Sequence, residues 1–372
     1  MQAVCGCQKA LLGTALTLTV VGMAGCGGGG GDAEASEETA LPEDGSSTSE
    51  VGFLSAEEGE GVLVAIVDDG VRETHNDFRG ETHIERTIPS EFSDKEEFGD
   101  MVHGTRVASV ALGDQFGQAT EADLLEIDLK SFEAPDGGAY FVMSDVQRGV
   151  ARALEAGARV VNSSYTNDYQ MIQEQSYQTV SAIGDFGALW VSSAGNEGMN
   201  LSTDPASPGQ FYDQFDGQGN GILRTKFGDS RVAPYHLYVG GVYEDGFSSE
   251  GVFNFPGEYP VIQKQFVTTL ACTEVATADS DTSYGTACGT SYSAPRVAGI
   301  IAEIWGKYPS LTVAEVRESI LETADRSFTE AYADESCGQA GDVNCGLFYF
   351  GQGRVDAEAA TVYAAGLAQA TY

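Results

Sequence analysis

Positive charge is scarce in this sequence: 19 lysines and arginines stand against 56 aspartates and glutamates, for a formal net charge of −37 over 372 residues. A chain so acidic repels phosphate backbones and anionic headgroups, which argues against nucleic acid as a partner and against charge-driven membrane binding. The acidity reads first as a solvated surface suited to salty water, and second as a site selecting basic substrates. The apolar run Ala10 to Ala24 is too short for a comfortable membrane span. Histidine is rare, with four in the chain, and no CxxC pair or neighbouring His supports a zinc site. No internal repeat occurs, and no linker after Gly61 is long enough to divide domains. A hydrophobic fraction of 42% is enough for one large core.

The N-terminus reads as a targeting segment. Lys9 precedes the apolar run, which ends in Met23-Ala24-Gly25-Cys26. That ending resembles the lipobox of bacterial lipoprotein precursors, with Met23 where Leu is usual. The resemblance implies a signal peptide over residues 1–25, diacylglycerol on the Cys26 thiol, and a bacterial outer-membrane lipoprotein facing the periplasm or the cell exterior. A plain cleaved signal peptide is the alternative. From Cys26 to about Glu60 the Gly-, Ser- and Glu-rich composition buries too little surface to fold, so 26–60 is expected to be a flexible tether and 61–372 the folded domain. Once Cys5, Cys7 and Cys26 are set aside, Cys272, Cys288, Cys337 and Cys345 remain for an oxidising compartment. Short loops favour Cys272–Cys288 and Cys337–Cys345 among three connectivities, without settling the matter.

From Gly61 onward, apolar runs alternate with helical patterns, which predicts an α/β domain with a mostly parallel sheet. Val62 to Val67 is a continuous aliphatic run, as a strand buried on both faces requires. Ser144 is placed to cap a helix through about Ala156, closed by Gly157 and followed by a strand over Arg159 to Ser164. Further strands are expected at Leu189 to Ser192 and Leu237 to Val242. Thr312 with Glu315 forms a capping-box pattern opening a helix to about Thr323.

Three separated clusters carry chemistry. Asp68-Asp69-Gly70 ends the first aliphatic strand, at the edge where open α/β sheets place their sites. His103-Gly104-Thr105 opens a helix running through about Leu112. Gly289-Thr290-Ser291 opens another, in which Val297, Ile300, Ile301 and Ile304 face the core and Ala294, Ala298 and Gly299 permit close packing. A serine at a helix N-terminus is ordinarily a cap, but as a nucleophile it gains from the free N–H groups and positive dipole end there.

Together with Ala194-Gly195-Asn196 and Pro295, these clusters resemble the signature blocks of the subtilase family of serine proteases, in the family order Asp, His, Asn, Ser. An α/β-hydrolase runs Ser, Asp, His, and a chymotrypsin-like enzyme His, Asp, Ser. Thr74-His75-Asn76-Asp77-Phe78, Val160-Val161-Asn162-Ser163-Ser164 and Gly351-Gln352-Gly353-Arg354-Val355-Asp356-Ala357 extend the likeness. It implies a subtilisin-like three-layer fold, protein or peptide substrates, and no cofactor for catalysis. Asp68, His103 and Ser291 would form the triad, with Asp69 as the rival for the aspartate role. Asn196 would donate to the oxyanion, and Ser163, Ser164, Tyr165, Ala194 and Gly195 would line the substrate. The family's frequent calcium makes Asp77 a weak candidate ligand, and a monomer is expected.

Several positions depart from the family pattern. Arg106 and Arg296 stand where many members have histidine, and ion pairs within an acidic protein are the simplest expectation for them. Val102 replaces a frequent glycine, and Ser164-Tyr165-Thr166 replaces a common Ser-Leu-Gly at the substrate edge. Between Cys26 and Gly61 there is no room for a folding prodomain, so folding without one is expected.

Overall fold

The computed structural model describes residues 59–78, 84–87, 101–129, 131–133, 139–141, 143–165, 182–202, 210–215, 221–225, 233–244, 253–327 and 345–370. The signal segment, Cys26, nearly all of the tether, Thr166 and Cys337 lie outside these residues, as does the side chain of Cys345.

In chain order the strands are β1 (Leu63–Asp68), β2 (Ile84–Thr87), β3 (Asp123–Asp128), β4 (Ser131–Glu133), β5 (Ala139–Phe141), β6 (Val160–Ser163) and β7 (Leu189–Ser193). They continue with β8 (Gln210–Phe215), β9 (Gly221–Thr225), β10 (His236–Val242), β11 (Phe266–Leu270), β12 (Cys272–Ala276) and β13 (Tyr284–Cys288). The helices are α1 (Val102–Leu112), α2 (Met143–Glu155), α3 (Pro260–Gln263), α4 (Thr290–Lys307), α5 (Val313–Glu322), α6 (Cys345–Phe350) and α7 (Ala357–Ala370).

Seven strands form one sheet in the order β11-β10-β7-β6-β1-β3-β2, every neighbouring pair parallel. β1 shows why its sequence is aliphatic throughout. Val64 and Ile66 pack into a core with α1, α4 and α5, while Ala65 and Val67 pack into a second core with Val146, Val150, Ala153 and Leu154 of α2. A strand buried on both faces has no polar side to alternate with. Each Val, Leu or Ile so buried is worth about 1.5–3 kcal/mol. The result is the expected α/β arrangement of three layers, helix, parallel sheet and helix.

α4 is the central helix, and from Thr290 to Trp305 its side chains are buried on nearly every face, Arg296 being partly exposed. It approaches α1 closely: a Cβ on Gly299 would lie 2.6 Å from Gln118 Cβ and 2.8 Å from the Ala111 carbonyl. The capping box at α5 is present, with the Thr312 hydroxyl accepting from the Glu315 N–H and the Glu315 carboxylate accepting from the Thr312 N–H. α2 differs in one detail. It opens at Met143, so Ser144 lies inside the first turn, and the chain leaves at Gly157 with φ 93°.

β12 and β13 form an antiparallel hairpin beside the sheet, with Cys272 opposite Cys288 and a disulfide between them. The pairing expected from loop length is present there. Among the described residues no helix is long and apolar enough to cross a membrane.

Candidate active site

Because β7, β6 and β1 are adjacent and parallel, their C-terminal ends fall on one edge of the sheet. Asp68 ends β1, Ser163 ends β6, and the loop Ala194-Gly195-Asn196 leaves β7. This is how residues more than a hundred positions apart come to share a site.

Asp68 is buried, and its carboxylate accepts from His103 Nδ1 at 2.9 and 3.1 Å and from the Asp69 N–H at 2.9 Å. An acceptor at Nδ1 places the ring proton there and leaves Nε2 as the basic nitrogen. His103 sits in the first turn of α1 with its side chain 30% exposed. Gly104 permits this approach: a Cβ there would lie 2.3 Å from the Gly70 carbonyl and 3.1 Å from Asp68 Cβ. Thr105 ties the helix start to the preceding loop, its hydroxyl accepting from the Arg72 N–H at 2.9 Å.

Asp69, next in the chain, has different work. Its carboxylate accepts from the Gly104 N–H at 2.6 Å and the His103 N–H at 3.2 Å, holding the N-terminus of α1. Geometry therefore separates the two aspartates: Asp68 meets the imidazole and Asp69 meets the backbone beneath it.

Ser291 is the second residue of α4 and is buried at 7% exposure. Gly289 precedes the helix with φ 146°, a conformation that L side chains rarely adopt. The Ser291 hydroxyl donates to the Ser164 carbonyl at 2.9 Å, so in this structure it rests on the strand edge rather than on His103. His103 nevertheless faces the same helix start, since its ring lies 6.0 Å, centroid to centroid, from the ring of Tyr292, the residue after Ser291. Asn196 completes the group. Its Oδ1 accepts from the Thr290 N–H at 2.9 Å and the Thr290 hydroxyl at 3.1 Å, which assigns Nδ2 as the amide's donor end.

A model of the subtilase family matches residues 59–340 of this chain. The chain belongs to the subtilase family.

Among its relatives, this subtilase is 25% identical over 272 residues to subtilisin from a Bacillus species, covering 70% of this chain and 60% of that protein. It is 26% identical to fervidolysin from Fervidobacterium pennivorans (72% and 38% covered) and 26% identical to mycosin-1 from Mycobacterium tuberculosis (72% and 64%). The chain thus spans less than two thirds of each relative's own length. Among solved structures, the patellamide maturation protease PatA superposes with a TM-score of 0.58 at 19% identity, covering 83% of this chain and 98% of that one. The prenylagaramide maturation protease PagA gives 0.57 at 17%, covering 82% and 94%. At these identities the likeness is one of fold.

The residues expected to line the substrate are largely engaged within the fold. The Ser163 hydroxyl accepts from Trp190 Nε1 at 2.8 Å, and the Ser164 hydroxyl accepts from Asn162 Nδ2 at 2.9 Å. Both hydroxyls are therefore occupied within the fold. Tyr165 stacks edge-on against Phe141 at 4.9 Å. Ala194 is buried, and the Gly195 N–H donates to the Thr290 hydroxyl at 3.1 Å.

Asp77, the candidate calcium ligand, is engaged within the fold. One carboxylate oxygen accepts from the Ser109 hydroxyl at 2.5 Å and the other from the Gln115 N–H at 3.0 Å, with the Tyr284 hydroxyl 3.4 Å away. Among the described residues no group of three or more His, Cys, Asp or Glu could hold a metal ion.

Electrostatics at the site follow from burial and charge. Burial is the largest influence on His103 and opposes the imidazolium, but the charge and hydrogen bond of Asp68, with the charge of Asp69, outweigh it and raise the pKa. Burial, reinforced by the Asp68 charge, pushes Asp69 up to about 7, although His103 and the two N–H donors act the other way. The ion pairs expected for Arg106 and Arg296 are not found among the described residues: the Nε atom of each is buried without a hydrogen-bond partner. Burial holds Arg296 below the usual guanidinium range. The structure offers no account of why these two positions carry arginine.

Sequence reasoning missed one residue of this site. Asn254, which precedes α3, hydrogen-bonds along the loop carrying Asn196. Nothing in its surroundings, a lone Asn between two phenylalanines, signals that position.

Proposed function

We propose that this chain is a serine endopeptidase acting outside the cytoplasm as a monomer, hydrolysing protein or peptide substrates without a cofactor. The observation that carries the reading is the Asp68–His103 pair, 2.9 Å apart, beside a serine at the N-terminus of α4. Ser291 would turn about χ1 from the Ser164 carbonyl toward His103, give up its proton to Nε2, and attack the scissile carbonyl. Asp68 holds the imidazole tautomer and stabilises the imidazolium. The tetrahedral oxyanion would take hydrogen bonds from Asn196 Nδ2 and the Ser291 N–H, and an asparagine donor of this kind is worth about 10²–10³ in turnover in subtilisin. His103 then protonates the departing amine, and water releases the acyl group by the same steps. The Ser164 carbonyl, now free, would accept from the substrate backbone as an added strand.

The lipobox-like Met23-Ala24-Gly25-Cys26 supports lipid attachment at Cys26 and a place on the bacterial outer membrane, facing the periplasm or the exterior. The parked Ser291 hydroxyl favours a second reading, a catalytically silent scaffold that binds without cleaving. A fluorophosphonate probe separates the two. Labelling of the wild type that is lost in Ser291→Ala supports the endopeptidase, and equally poor labelling of both leaves the scaffold.

A further inference from the structure

Asn254 is 2% exposed, and its side chain lies against the loop that leaves β7. Its Oδ1 accepts from the Glu197 N–H at 3.1 Å and the Met199 N–H at 2.8 Å. Its Nδ2 donates to the Ala194 carbonyl at 2.8 Å and to Glu197 Oε2 at 2.7 Å. A side-chain amide has two acceptor and two donor positions, and here all four are filled by one loop. The Asn254 backbone N–H adds a bond to the Gly195 carbonyl at 3.0 Å. The segment continues alongside, with the Phe255 N–H donating to Met199 and the Leu201 N–H donating to Phe255.

The five bonds bracket a single residue. They end on Ala194 and Gly195 before Asn196, and on Glu197 and Met199 after it. Asn196 itself is held from the other side through Oδ1 by Thr290. The loop on either side of it is thus fixed by Asn254 and its Oδ1 by Thr290, which together set the direction in which its donor end, Nδ2, points. We propose that Asn254 is a positioning residue for the oxyanion donor, setting where Asn196 Nδ2 stands relative to Ser291. The inference rests on the endopeptidase reading of the same site.

Oxyanion donors act only when aimed at where charge develops, and a displacement near 1 Å is enough to cost about 10²-fold in rate. Asn254 can act through Asn196 only up to the full worth of that donor. The bound defines the test: kcat and KM for a peptide substrate in Asn254→Ala, Asn196→Ala and the double variant, with thermal unfolding of each. Asn254→Ala is expected to lower kcat by about 10–100-fold with KM changed less than about 3-fold. In the Asn196→Ala background the same substitution should lower kcat by less than about 3-fold, because the group it positions is gone. Should Asn254→Ala fail to fold, Glu197→Gln serves. It weakens one bond at the outer end of the bracket and should lower kcat about 2–5-fold, again only when Asn196 is present. Losses that multiply in full in the double variants, or that fall on KM alone, overturn the proposal while leaving the endopeptidase reading intact. Unchanged kcat in Asn196→Ala overturns the oxyanion assignment and this inference with it.

Discussion

Asp68 and Asp69 share a residue type, a neighbouring position and a buried setting, yet one meets an imidazole and the other a helix start. Asp69 is raised from 3.8 to about 7, chiefly by burial and then by the charge of Asp68. A group raised on folding contributes stability that is complete below its unfolded pKa and is lost as pH climbs through the folded one. Asp69 should therefore cost the fold a few kcal/mol, progressively, between about pH 4 and pH 7. Asp69→Asn keeps an oxygen facing the Gly104 N–H and removes the titration. Its unfolding midpoint at pH 8 is expected to exceed that of the wild type, with the decline from pH 5 to pH 8 reduced. The charge of Asp69 also helps to raise His103, so the acid limb of kcat/KM should move to lower pH in the variant. Titration of kcat/KM and of thermal unfolding checks both, and a limb that stays in place would show that Asp69 does not govern the imidazole. The roles of the two aspartates were only half legible. The aliphatic run and Gly70 pick out Asp68, but nothing in a pair of adjacent aspartates says that the second will lie under a helix start.

Elements were read most reliably where local chemistry and burial agree. β1 was visible because burial on both faces leaves an unbroken aliphatic run, and α5 because a capping box is a complete local motif. α2 starts two residues earlier than a Ser144 cap implies, since Ser144 has a cap's side chain but the helix has already begun at Met143. Asn254 was invisible because its bonds depend on how a distant segment lies against the β7 loop. The β12–β13 hairpin is a case where short spacing sufficed. Its disulfide closes a separation of 16 residues, and its last residue, Cys288, is followed by Gly289 and the helix carrying Ser291. Loop closure on that scale is worth about 3 kcal/mol. The paired Cys272→Ala, Cys288→Ala variant is expected to lose about 2–3 kcal/mol in urea unfolding while retaining activity at 25 °C, because the ladder between the strands remains. A loss on adding reductant to the wild type that exceeds the loss in the variant by the same amount ties the effect to this bridge.

For the whole molecule the dominant quantity is charge. With 56 acidic residues and 19 basic ones, carboxylates outnumber the cations that could pair with them, and most must face solvent as like charges. The exposed acid–base contacts that do form, such as Arg152–Glu155 at 3.7 Å, are worth about 1 kcal/mol or less. Self-repulsion of the compact state is therefore the larger effect, and it is screened by salt. The Debye length falls from about 30 Å at 0.01 M to about 3 Å at 1 M, which removes repulsion between all but adjacent groups. The thermal midpoint should accordingly rise as sodium chloride is raised from about 0.01 to about 1 M at pH 8. Most of the rise should come below about 0.2 M, where screening between neighbouring surface groups changes fastest. Lowering the pH toward 4 at low salt should reproduce part of it by neutralising the same carboxylates, and Asp69 adds to that gain because its proton is bound more tightly in the folded chain. A midpoint that is flat in salt would mean that the acidic groups are spaced widely enough not to interact, and the composition would then say nothing about the medium the protein is built for.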